Sequence, residues 1–73
     1  MIRNADTAKH VSDLMHDIFR RIDESTQLVK KTCSAEEFAA YNKAIGRVLG
    51  AVVMDVMEPL YDQNPTLKPD NWD

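Results

Sequence analysis

Two histidines and two aspartates are the residues whose types and spacing come nearest to chemistry in this chain. On a helix His10, Asp13 and Asp17 step by three and four positions and share a face, with His16 one step round from Asp13. Imidazole beside carboxylates is a donor set for a divalent ion, and two carboxylates in reach of each other form a general acid–base pair. The spacing lacks the His-x-x-x-His and Glu-x-x-His signatures of helical metal sites. No nucleophile, oxyanion site or phosphate loop accompanies it. A solvated helix face accounts for these residues better. No cofactor, metal or enzymatic activity is expected.

Cys33 and the basic residues lead to the same place. A thiol near a helix N-terminus can have a lowered pKa, but Glu36 and Glu37 oppose the thiolate here, so Cys33 reads as a packing residue. Arg20, Arg21, Lys30, Lys31, Lys43 and Arg47 can be assembled into a strip for RNA, a use to which plasmid RNA-binding helical-hairpin dimers of similar length put their surface. Asp17, Asp23, Glu24 and Glu36 interrupt that strip, and no aromatic residues interleave with it. The net charge of -3 also argues against unspecific polyanion binding. An RNA-binding hairpin dimer stays as the alternative function, and a metal- or ligand-binding bundle as a further one.

The elements that position these residues are helices. From about 7 to 32 there is no Gly or Pro, and Val11, Met15, Ile18, Ile22, Ser25 and Val29 step 4-3-4-3-4, a heptad-like seam. Asp6 or Thr7 is expected to cap this helix. Asp17–Arg21 and Arg20–Glu24 are the expected pairs on its outer face. Ser34-Ala35-Glu36-Glu37 is a capping box that opens a second helix, about 34–58, with Cys33 and Phe38 at the staple positions. So short a break folds the helices back antiparallel. In that pairing Lys30 and Lys31 approach Glu36 and Glu37, while Arg3, Lys9 and His10 approach Asp55, Glu58 and Asp62.

The second helix is apolar over most of its circumference. Its polar residues, from Glu36 through Arg47 to Asp62, fall in an arc of about 120°. A helix of that kind is buried on more than one side, yet a 73-residue chain has one other long helix to cover it. At this size a single core is marginal without disulfide, metal or oligomerisation, and one cysteine makes no internal bridge. The expected fold is therefore all-α, a single helical-hairpin domain that dimerises into a four-helix bundle. Phe38, Asn42, Ile45, Gly46, Leu49, Gly50, Val53 and Val56 are the candidate helix-packing or dimer interface. Asn42 in the apolar face would fix register. Gly46 and Gly50, each costing about 1 kcal/mol in a helix, imply close approach of another helix.

Pro59 ends or kinks the second helix, with one further turn from 60 to 63 allowed before Asn64-Pro65. The rest of 59–73 reads as an extended tail. In it Tyr61, Leu67 and Trp72 either fold back over the bundle end or anchor a partner. Met1 to Ala8 carry no apolar stretch of the signal-peptide kind. The longest apolar run, 48–54, falls far short of the roughly 20 residues that span a bilayer. No membrane partner is expected, and the single thiol fits the cytoplasm. The function expected is that of a small non-enzymatic interaction protein, a regulator, adaptor or accessory subunit, whose partners are a second copy of itself and another protein.

Overall fold

A computed structural model describes residues 1–70 and 72 of the chain, and they form an all-helical hairpin. The first helix, α1, spans Ala5–Thr32. Its cap is Asn4, whose side-chain oxygen accepts from the Thr7 N–H at 3.0 Å. The sequence suggested Asp6 or Thr7. Asn is as good a cap as Asp, and starting earlier satisfies Thr7 while leaving Asp6 in the first turn, where the helix dipole favours an anion. At the other end the Cys33 N–H closes on the Val29 carbonyl at 2.9 Å, and Lys30 and Lys31 occupy the last turn.

The second helix, α2, spans Ala35–Ala51 and opens with the complete capping box. The Glu37 N–H donates to the Ser34 hydroxyl at 3.1 Å, and the Ser34 N–H donates to the Glu37 carboxylate at 3.0 Å. After α2 the backbone stays helical but widens into a π turn, Val52–Met57, and then runs on as α3, Glu58–Gln63. The widening lies where a proline requires it. In a regular helix the Pro59 ring presses on the carbonyl four residues back, and its missing N–H leaves that carbonyl without a donor. A π turn, in which the Glu58 N–H reaches back to the Val53 carbonyl, loosens those residues and lets the rod continue through the proline. A 3₁₀ turn, Pro65–Leu67, comes next.

The molecule is a rod of 44 × 19 × 16 Å, and its core sits at one end. Ala8, Met57, Leu60 and Tyr61 are the buried apolar residues, all at the end away from the 32–35 turn. Toward the turn, Phe38, Tyr41, Ile45 and Leu49 are half-buried. There the helices are joined by Ser25, at a seam position of α1. Its hydroxyl donates to the Ile22 carbonyl at 2.7 Å, so the Tyr41 hydroxyl, 2.6 Å away, must be the donor to Ser25.

Charge contributes locally. Lys9–Asp13, Arg20–Asp17 and Arg20–Glu24 are ion pairs within α1, and among the described residues none joins the two arms. Asp17 bonds Arg20 rather than Arg21. The hydrogen bond from Arg20 to Asp17, and after it the attraction of Asp17 and Glu24, holds the guanidinium above its ordinary pKa.

The Glu37 carboxyl is held below the usual glutamate range, first by the Ser34 backbone N–H and then by the Ser34 side chain. A depressed folded-state pKa means that its contribution is present above the ordinary glutamate value and is lost as pH falls through the lowered one. A carboxyl-carbon titration monitored by NMR should give Glu37 a midpoint below that of glutamate in an unstructured peptide. Loss of the Ser34 amide bond should track the same titration.

Candidate functional site

The residues singled out for chemistry do not converge. Lys9 pairs with Asp13 on the exposed face of α1, and Asp17 is held by Arg20. Among the described residues no group of three or more His, Cys, Asp or Glu side chains is placed to hold a metal ion. Cys33 is exposed at the turn with a free thiol. Phe38, its expected staple partner, is half-buried and has the Lys30 ammonium 6.0 Å from its ring.

His16 instead belongs to a polar cluster formed across the hairpin. The Tyr61 hydroxyl lies 2.8 Å from the Ser12 hydroxyl and 3.1 Å from His16 Nε2. Each hydroxyl has one hydrogen, so two arrangements satisfy all three groups. With a bare Nε2, Tyr61 donates to His16 and Ser12 donates to Tyr61. With Nε2 protonated, His16 donates to Tyr61 and Tyr61 donates to Ser12. Ser12 is only 4% exposed, so it is not presented to a substrate as a nucleophile would be. The cluster fastens the two arms. Ser12 lies four residues after Ala8 and four before His16, which puts the three on one face of α1. That spacing was the available signal. The tyrosine that meets them is far along the chain.

The residues after α3 close over this end. The Trp72 ring meets Tyr61 edge-on with centroids 5.1 Å apart, and Leu67 packs against the same core. The Asn64 side-chain amide donates to the Ile2 carbonyl at 2.7 Å and to the Leu60 carbonyl at 3.2 Å, tying residues near the two termini together. Beside Trp72, a depression of about 300 Å³ is lined by His16, Phe19, Met57 and Pro69. That is at the lower limit of small-molecule pocket sizes, which run to about 1,000 Å³.

The candidate interface residues of the second arm divide. Ile45, Leu49, Val53 and Val56 are half-buried, with Val53 packed against the core. Asn42, Gly46 and Gly50 are exposed. A Cβ built on either glycine meets nothing within 4 Å, so among the described residues none makes the close approach the two glycines suggested. Leu14, Leu28, Val48 and Met54 are large apolar side chains left 48–64% exposed.

Compared with protein-family models, curated protein sequences and solved structures, the chain matches none.

Three substitutions test this arrangement. Tyr61→Phe leaves the buried Ser12 hydroxyl without its partner and should cost about 1–3 kcal/mol in denaturant unfolding. Gly46→Ala and Gly50→Ala add a methyl group into open space and should each stabilise the protein by about 0.5–1 kcal/mol. Destabilisation by alanine would reveal a close neighbour at that position.

Proposed function

We propose that this chain is a small non-enzymatic interaction module of the cytoplasm, a regulator, adaptor or accessory subunit, that works as a homodimer and presents helical faces to a protein partner. The observation that carries this reading is surplus surface. The chain exposes 5433 Å². A compact monomer of 8.3 kDa is expected to expose about 4,600 Å², leaving a surplus of roughly 850 Å². One partner's share of a standard protein–protein interface is about 800 Å². The radius of gyration points the same way, at 14.6 Å against the roughly 11 Å of a compact domain of this length.

Tyr61, Leu67 and Trp72 pack on the chain's own core, so partner recognition falls to the helical faces. No described helix is long and apolar enough to cross a membrane. The RNA-binding alternative finds less support, because both Asp17 and Glu24 hydrogen-bond the guanidinium of Arg20, one of the six residues in its strip.

Sedimentation equilibrium at micromolar concentration should return twice the 8.3 kDa chain mass. A well-folded monomer at 100 µM would overturn the homodimer.

A further inference from the structure

We infer that two copies of this chain join through the flank of the hairpin that carries Leu14, Ile18, Leu28, Tyr41 and Val48, and not through the side that carries Asn42, Gly46 and Gly50. The inference rests on the homodimer proposed above and names its interface.

The hydrogen bond between Ser25 and Tyr41 marks one side of the hairpin, because both residues reach it from their own helices. Residues seven and eleven apart on a helix return to within about 20° of each other. Ile18 and Leu14, seven and eleven before Ser25, therefore share its flank of α1, with Leu28 at the edge. Val48, seven after Tyr41, shares the matching flank of α2. An antiparallel pair that sets Ser25 level with Tyr41 also sets Ile18 level with Val48, since both arms rise equally per residue.

Burial agrees with this placement. Leu14 is 48% exposed, Leu28 60% and Val48 49%, while Ile18 and Tyr41 are half-buried. Three of the five large apolar side chains left exposed among the described residues thus fall on one flank. Stepping from Tyr41 carries Asn42, Gly46 and Gly50 progressively round to the other side. There the two glycines have no side chain to bury, and Asn42 is exposed.

A second copy is the occupant that fits. The surplus area is one chain's share of a standard interface, and two identical apolar flanks brought face to face by a two-fold axis cover each other. Four helices then surround one core, in which Leu14, Leu28 and Val48 meet apolar neighbours instead of water. Arg21, four residues before Ser25, falls between Leu14 and Leu28 on the flank and is the one cation there, which is too few for a strip that recognises phosphates.

The test is the dimer dissociation constant of the full chain, measured by sedimentation with helicity monitored by circular dichroism. Leu28→Glu and Val48→Glu should each raise it at least about tenfold, because a carboxylate replaces an apolar side chain at the contact. Asn42→Glu and Gly46→Leu should leave it within about twofold of the parent. Where a glutamate variant has lost helicity, Val48→Ala reads the same contact with the helix kept, and should weaken the dimer several-fold. A parent chain that is monomeric at 100 µM overturns the homodimer itself. A dimeric parent that tolerates Leu28→Glu, Val48→Glu and Val48→Ala overturns the assigned flank. So does a dimer broken by Asn42→Glu or Gly46→Leu.

Discussion

Two antiparallel helices touch along a single line, and this limits how much either can bury. Each helix of the hairpin has one inward stripe, and everything to the sides of it stays open unless another element covers it. Among the described residues there is no third long helix. What the chain has is the segment after α2, which stays helical through Pro59 to Gln63 and then returns over the end of the rod with Leu67 and Trp72. Burial is complete only where that segment adds a third layer, around Ala8, Met57, Leu60 and Tyr61. Elsewhere the seam is half-buried, and large side chains such as Leu28 and Val48 remain in water. The surplus surface, the elongated shape and the proposed dimer all stem from this one restriction.

Polar groups fasten the hairpin as much as apolar ones do. Ser12, His16 and Tyr61 join the arms at the closed end, and Ser25 and Tyr41 join them nearer the turn. In each case a tyrosine on the second arm uses its ring for packing and its hydroxyl to satisfy a serine on the first. A serine facing another helix carries a hydroxyl that loses water on packing, and a tyrosine opposite supplies the partner while filling space. Among the described residues no buried side-chain polar atom is left without a partner. Such bonds specify register better than leucine contacts do, because a shift along the seam would take each tyrosine hydroxyl away from its serine.

The proposed interaction role draws on the exposed helical surface. Ion pairs line the exposed face of α1, and Leu14, Leu28 and Val48 stay exposed on the flank inferred to be the dimer contact. The polar cluster around Tyr61 spans the two arms, with Ser12 buried and His16 at the surface. Its part is to hold the arms in register, and with them the apolar flank.

By itself the sequence determined the features that arise within a few residues of one another. The two helices, the turn between them and the Ser34–Glu37 capping box depend on hydrogen bonds and periodicities spanning three to seven positions, and those can be read from residue types alone. The excess of apolar residues on the second arm was legible for the same reason. Only the tertiary structure decided which groups meet across the hairpin. Tyr61 finds Ser12 and His16 because the turn sets one arm's register against the other and the π turn before Pro59 rotates α3 relative to α2. Neither effect is visible in the residues around Ser12. The glycines show the converse: Gly46 and Gly50 carry a local signal for close packing, and none of the described residues comes within 4 Å of a Cβ built on either. Spacing shows which residues share a face of a helix, but what that face meets depends on segments tens of residues away.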